Sequence, residues 1–191
     1  MPTFVIIHGG FWRAIYNVDN SLIETLQPAL SKLGYGVCLV EYRRNEHVGG
    51  GWPGTNDDII SALKRLHEYS KVWELVFLQS SKVKYTASQG NHVMINFEKV
   101  VVLGHSAGTS TTILQCRGHS HALLIGATLA LWCCSSAAQD LPFRPVLCAA
   151  LAPVGDLNAG FARGLGDKGD AVMRYMGGRA PVDQSPDCPY K

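Results

Sequence analysis

The sequence predicts an α/β fold, in which a parallel β-sheet of about four strands is flanked by helices. Four short runs have the composition of buried strands, because they are almost continuously apolar and contain mainly Val, Ile, Leu and Ala. These runs lie at residues 4–7, 36–42, 100–103 and 145–152. Apolar residues at helical spacing separate the first two runs, and a strand–helix–strand connection of this length joins strands that run parallel.

The first helix is predicted between these two strands. Asp19 or Asn20 is a suitable N-terminal cap, and the apolar spacing continues to about Leu33. Gly34 supplies the stop signal, because glycine readily adopts the left-handed conformation that ends a helix. Pro28 lies inside the pattern, so we expect the helix to be kinked or divided there.

A glycine-rich loop at residues 43–55 follows the second strand. It is too long and too rich in glycine for packed core, so we interpret it as a mobile connection or as a pocket rim that includes Trp52. Asn56 or Asp57 then caps a second helix. The apolar face of that helix consists of four residues at helical spacing: Ile59, Ile60, Leu63 and Leu66.

The second half of the chain has weaker patterns. Residues 72–95 lack a clear period, although residues 72–78 fit a strand or an extension of the preceding helix. Residues 118–139 carry no charge, which raises the question of a membrane span. Only residues 122–134 are continuously small or apolar, and that length favours a buried core helix. A last helix is predicted near residues 171–176.

Composition excludes several function classes. A formal net charge of +2 and scattered basic residues argue against nucleic acid or an anionic membrane as a partner. No phosphate loop or dinucleotide fingerprint occurs, so we predict no cofactor. The amino end runs directly into a strand, so we predict no signal peptide and a cytoplasmic protein.

The cysteines point to a reducing compartment rather than to a metal site. Four of them lie inside apolar segments, and we interpret them as reduced core thiols: Cys38, Cys133, Cys134 and Cys148. Cys116, His119 and His121 lie close together in the sequence, but no fourth ligand is evident beside them. We therefore predict no metal.

The pattern with the most chemical content is GHSAG at residues 104–108, directly after the apolar run at 100–103. In a G-x-S-x-G turn the flanking glycines allow a strained strand-to-helix turn that exposes the serine, here Ser106. The amino end of the following helix would stabilise negative charge beside that hydroxyl. The alternative is an ordinary glycine-rich turn that contains an unreactive serine.

A second glycine motif, HGGFW at residues 8–12, follows the first strand. Two glycines directly after a buried strand let backbone N–H groups approach a ligand closely. The alternative is a tight turn in which Phe11 and Trp12 are core aromatics.

The order of these motifs resembles that of α/β-hydrolases of the esterase and kynurenine formamidase-like (arylformamidase-like) group. Besides HGGFW and GHSAG, the chain has EYRR at residues 41–44, GGWPG at 50–54 and LAPVGDL at 151–157. The resemblance covers most of residues 3–70 and 98–180. It implies a partial α/β-hydrolase fold with the four predicted strands in the order 2-1-3-4, and acyl transfer to a serine.

The resemblance also implies roles for individual residues. Ser106 would be the nucleophile. His8 would brace the HGGFW loop rather than act as a base, and Asp156 would be structural. The oxyanion hole would consist of backbone N–H groups, those of Gly10, Phe11 and Ala107. Trp12 and Trp52 would line the substrate pocket.

The chain departs from the family pattern in its catalytic acid and base. The family order is Ser, then Asp, then His, but the last histidine here is His121 and neither partner is found after later strands. We therefore expect an incomplete hydrolase domain over residues 1–180, with intrusions near 72–95 and 109–127, and a tail at 181–191. An alternative base would come from an inserted loop or a partner, the candidates being His47, His92, His119 and His121.

Two functions follow from these observations. The first is a serine hydrolase that acts on a small carboxylic ester or an aryl or formyl amide, with weak or absent activity in this chain. The second is a non-catalytic hydrolase-derived binding protein or an unproductive fragment. A sheet without its outer strands also exposes an edge through which a homodimer would form.

Overall fold

The computed structural model describes residues 2–21, 23–71, 83–85, 95–105, 129–130, 133, 141–151, 157–166 and 168–180. These residues contain a five-stranded sheet. Its strands, in chain order, are β1 (Thr3–Ile7), β2 (Gly36–Val40), β3 (Val83–Tyr85), β4 (Val100–His105) and β5 (Leu147–Leu151). They are arranged in the order β3-β2-β1-β4-β5.

Four of these strands confirm the predicted parallel sheet and its order, because β2, β1, β4 and β5 are neighbours in that sequence and run parallel. The fifth, β3, pairs antiparallel with β2 and was not predicted. It has three residues, too few to produce a period, and it lies within the segment that was interpreted as an intrusion. The edge of β2 is therefore partly covered, whereas β5 forms the other edge of the described sheet.

Both faces of the central strand β1 are covered. On one face, Val5 and Ile7 pack in a cluster that includes Leu63 of the helix α2 (Gly54–Lys71). On the other face, Ile6 packs in a second cluster, against which Leu30 of the helix α1 (Leu26–Lys32) is placed. Burial on both sides explains why this strand is continuously apolar rather than alternating.

The first helical region is divided, as Pro28 predicts. A 3₁₀-helix (Ile23–Thr25) leads into α1, and Pro28 lies in the first turn of α1, where a missing N–H has no intrahelical role. At the other end, Gly34 has φ +82° and its N–H donates to Ser31 O, while Tyr35 N–H donates to Leu30 O. These two bonds form a Schellman cap and confirm the predicted stop.

The predicted cap of that helix is wrong. Asp19 and Asn20 belong to a separate turn, in which the side-chain oxygen of Asn17 accepts from Asp19 N–H and that of Asn20 accepts from Asn17 N–H. The residue at the helix start is Thr25, whose side chain makes no capping hydrogen bond.

The interpretation of residues 43–55 as a mobile connection is also wrong. Arg44 is only 8% exposed and Thr55 is fully buried. Thr55 Oγ1 accepts from Gly51 N–H and donates to Arg43 O, so the loop is tied across its base. The helix α2 begins at Gly54, ahead of the predicted caps, and its predicted apolar face is buried at Ile59 and Leu63.

Two short helices complete the described chain. They are α3 (Leu157–Ala162), which was not predicted, and α4 (Ala171–Tyr175), which confirms the helix predicted near residues 171–176. Leu157, Val172 and Tyr175 join the larger core cluster. The helix α3 is short and contains Gly160, so its sequence has little helical propensity.

The described thiols agree with the reduced state expected from the sequence. Cys38 and Cys133 are buried thiols, Cys148 is half-buried, none of the three is in a disulfide, and Cys134 lies outside the described residues. Of the uncharged segment at 118–139, the structure describes Leu129, Ala130 and Cys133, all helical and buried. Among the described helices, none is both long and apolar enough to cross a membrane.

Candidate active site

The predicted nucleophile, Ser106, and the predicted oxyanion donor Ala107 lie outside the described residues. The structure does define the strand that leads to them, because β4 is described to its last residue, His105. In the parallel pairing of β1 with β4, Ile7 is opposite Gly104. The carboxyl ends of β1 and β4 therefore lie side by side, at the end of the strands where ligands bind in open α/β sheets.

The chain after β1 makes a tight turn with unusual backbone angles. Gly10 has φ +113°, Phe11 has φ +50° and Trp12 has φ +53°, and Arg13 N–H donates to Gly10 O at 2.9 Å. We call residues Gly10 to Arg13 the left-handed turn. Positive φ is uncommon for bulky residues and costs of order 1–3 kcal/mol at each one.

Two consecutive N–H groups of this turn, on Gly10 and Phe11, differ in burial, since Gly10 is buried and Phe11 is half-buried. Within the described residues, no hydrogen bond is found from the N–H of Gly10 or of Phe11. Glycine is required at the first position, because a Cβ on Gly10 would lie 2.4 Å from the Cβ of Tyr16. Gly10 and Phe11 carry two of the three N–H groups that the resemblance implies for an oxyanion hole.

The side chain of Glu41, directly after β2, is hydrogen-bonded to several segments around the turn. Its Oε1 accepts from His8 Nε2 at 3.0 Å, from Tyr42 N–H at 3.1 Å and from the Arg44 guanidinium. Its Oε2 accepts from Val18 N–H at 3.2 Å. Burial by itself raises the pKa of Glu41, but the hydrogen bond from His8 and the charges of His8 and Arg44 lower it, so the net pKa is below 4.5.

His8 is fully buried and both of its ring nitrogens are engaged. Nε2 is bonded to Glu41, and Nδ1 lies 2.7 Å from Gly9 O. The ring stacks on Tyr42 with centroids 4.3 Å apart, and the Tyr42 hydroxyl donates to His8 O at 2.6 Å. Both ring nitrogens therefore contact an oxygen atom of the protein. This geometry suits the bracing role that the resemblance implied.

The two tryptophans differ in exposure. Trp12 is fully buried and stacks on Tyr175 of α4 with centroids 3.9 Å apart. Trp52 is half-buried, and its backbone N–H donates to Tyr175 O at 2.7 Å. Asn45 N–H donates to Trp12 O at 2.8 Å. The helix α4 and the loop after β2 therefore both contact Trp12 of the left-handed turn. That both tryptophans line a substrate pocket stays a prediction.

Of the four candidate bases, His47 lies within the described residues. His47 Nδ1 accepts from Arg44 N–H at 3.2 Å, and the other three candidates lie outside the described residues: His92, His119 and His121. His105, which precedes Ser106, has a pKa lowered below 6.5 by burial. Its Nδ1 is buried and has no partner among the described residues.

Sequence reasoning missed most of the support around the turn. Glu41 carried one signal, a carboxylate directly after a buried strand, but two of its four donors, His8 and Val18, come from distant segments. Tyr175 carried none, because its contacts with Trp12 and Trp52 join opposite ends of the chain. Asp156, expected to be structural, lies outside the described residues.

The described residues contain no group of three His, Cys, Asp or Glu side chains placed to hold a metal ion. Cys116, His119 and His121 are not among them. Neither a protein-family model nor a curated protein matches this chain. The site is therefore defined by its own geometry: a strained turn with two N–H groups that make no hydrogen bond within the described residues, following β1 beside the strand that ends at His105.

Proposed function

We propose that this chain is organised as a serine hydrolase of the α/β-hydrolase type, with Ser106 as the nucleophile. Its substrate class is a small carboxylic ester or an aryl or formyl amide. The observation that carries the proposal is the pairing of Ile7 with Gly104, because it sets the carboxyl ends of β1 and β4 side by side. The left-handed turn follows β1 in the chain, and Ser106 follows β4. The N–H groups of Gly10 and Phe11 make no hydrogen bond within the described residues, which supports the same reaction class.

In the proposed reaction the Ser106 hydroxyl attacks the carbonyl carbon of the substrate. The carbonyl oxygen then becomes an oxyanion, which accepts hydrogen bonds from backbone N–H groups at Gly10 or Phe11 and at Ala107. Collapse of the intermediate expels the alcohol or amine and leaves an acyl-serine, which water hydrolyses. The serine proton must pass to a base during attack, and it must reach the leaving group during collapse.

The missing base limits the expected rate. Loss of one member of a catalytic triad lowers kcat by several orders of magnitude, and the oxyanion hole retains only a residual rate. The ring nitrogens of His8 and Nδ1 of His47 are engaged in other hydrogen bonds. This observation favours the second candidate function, a non-catalytic hydrolase-derived binding protein.

The remaining proposals concern location and assembly. Free thiols at Cys38 and Cys133 support a cytoplasmic location. A homodimer through the β5 edge is supported by exposed apolar residues there, since Leu147 is 57% and Leu151 is 45% exposed. No nucleic acid, membrane or cofactor is proposed as a partner.

The proposed function is tested by labelling the purified chain with a serine-reactive fluorophosphonate. The Ser106→Ala variant is the test, and Ser61→Ala, an exposed serine on α2, is the matched control. The proposal expects labelling that is lost in the first variant and kept in the second. A folded wild-type chain that is not labelled would exclude an activated serine and would leave the binding-protein alternative.

A further inference from the structure

Glu41 joins the segments that surround the left-handed turn. Its carboxylate contacts His8 before the turn and Val18 after it, and it also contacts Tyr42 and Arg44 beyond β2. The turn therefore lies between two hydrogen bonds to one side chain. A shift of that carboxylate would move both ends of the segment that contains the turn.

We infer that Glu41 is a positioning residue for the reaction proposed above. It holds the left-handed turn in the strained conformation that leaves the N–H groups of Gly10 and Phe11 unbonded. Those groups are then available to an oxyanion without any rearrangement of the chain during the reaction. This inference rests on the proposed function and adds to it a residue that does not itself contact the substrate.

The chemistry of the four partners makes a carboxylate necessary at this position. All four donate: a ring N–H of His8, the backbone N–H groups of Tyr42 and Val18, and the guanidinium of Arg44. A carboxylate has two acceptor oxygens, whereas a glutamine amide has one oxygen and one donor NH₂. Glutamine therefore leaves at least one partner facing another donor.

Charge adds to this requirement. His8 is fully buried, the Arg44 side chain is 9% exposed, and the nearest nitrogens of these two side chains are 3.5 Å apart. The carboxylate of Glu41 is the anion between them. Without it, the guanidinium of Arg44 would lose its anionic partner in a buried site, which is strongly unfavourable.

The test compares Glu41→Gln with the control Glu98→Gln, an exposed glutamate that follows Asn96. Amide hydrogen exchange is measured at Val18, and kcat and KM are measured with 4-nitrophenyl acetate. We expect Glu41→Gln to exchange the Val18 amide at least about tenfold faster, because its acceptor is lost. We also expect kcat to fall at least about tenfold with little change in KM, because oxyanion donors act in the transition state.

Each result bears on the inference. Wild-type exchange at Val18 in a folded Glu41→Gln variant overturns it, and so does faster exchange with an unchanged kcat. If the wild-type chain shows no Ser106-dependent labelling or hydrolysis, the proposed function fails and the catalytic part of the inference falls with it. The exchange data then still decide whether Glu41 holds the turn.

A second variant covers the case in which Glu41→Gln does not fold. Glu41→Asp keeps the charge but withdraws the carboxylate by one methylene. Faster exchange at Val18 and a lower kcat are expected in the same direction. Wild-type values for both quantities would refute the inference.

Discussion

Replacing Gly10 with alanine tests the left-handed turn, and Gly34 provides a matched control. Both glycines have positive φ, +113° and +82°. They differ in their surroundings, because a Cβ on Gly34 has nothing within 4 Å, whereas a Cβ on Gly10 would lie 2.4 Å from Tyr16 Cβ. The control therefore measures the backbone cost, and the difference between the two variants measures the steric overlap at the turn.

The expected magnitudes follow from these two terms. A left-handed alanine costs about 1–2 kcal/mol, so Gly34→Ala should lower the free energy of unfolding by about that amount. An overlap that displaces Tyr16 adds about 1–3 kcal/mol, as in overpacked cores. Gly10→Ala should thus cost about 2–5 kcal/mol, and at about 2–4 °C per kcal/mol its melting temperature should be lower than that of the control.

Urea denaturation, followed by circular dichroism, measures both variants. The slope of the free energy against urea should stay unchanged, because the substitution exposes no additional surface on unfolding. A cost for Gly10→Ala that is equal to or below that of Gly34→Ala would refute the reasoning, since it would mean that Tyr16 does not restrict the turn. Fluorophosphonate labelling of Gly10→Ala, if wild type is labelled, should also be slower.

Two further predictions concern titratable groups. The pKa of Glu41 is lowered below 4.5, so its contribution to stability is present above that pH and is lost as the pH falls through the folded-state pKa. The difference in unfolding free energy between wild type and Glu41→Gln, measured by urea denaturation, should therefore shrink on acidification. A constant difference would contradict the ion-pair network. Burial raises the pKa of Cys38 to about 12, so iodoacetamide should alkylate this thiol only when the protein unfolds. Alkylation is detected by peptide mass spectrometry. Modification of Cys38 in the folded protein would show that β2 is not covered as described.

The strands and the main helix could be predicted because their signals are local. A strand covered on both faces needs a continuous apolar run, and residues 4–7 have one. The helix α2 needs an apolar face at helical spacing, which Ile59 and Leu63 provide. Pro28 and Gly34 act through their own backbone restrictions, so their effects on α1 were also visible in the sequence.

The errors arose where distant partners decide the structure. Residues 43–55 resemble a loose loop in composition, but Arg44 is held by Glu41, and Thr55 closes the loop by bonding Gly51 and Arg43. Buried hydrogen bonds of this kind leave no period in the sequence. The strand β3 pairs with the edge of β2 that is not bonded to β1, and three residues are too few for a sequence pattern to predict such a pairing.

The candidate site divides in the same way. Its backbone feature was visible as a motif, because Gly10 marks the place where the chain turns sharply after β1. The contacts of the side chains that support the turn were not visible, since Glu41 reaches it from the residue after β2 and Tyr175 from α4. Ser106 itself lies outside the described residues, so its role stays a prediction.

The strain in the left-handed turn is itself an argument for function. Two bulky residues, Phe11 and Trp12, hold positive φ directly after a glycine, although glycine at either position would remove a cost of order 1–3 kcal/mol. The surrounding contacts are strong enough to maintain that strain: Glu41 fixes both ends of the segment, and Tyr175 stacks on Trp12. A turn that only reversed the chain would need neither the strain nor this support. Their joint presence at the edge where β4 leads to Ser106 favours a turn built to present backbone N–H groups to a ligand.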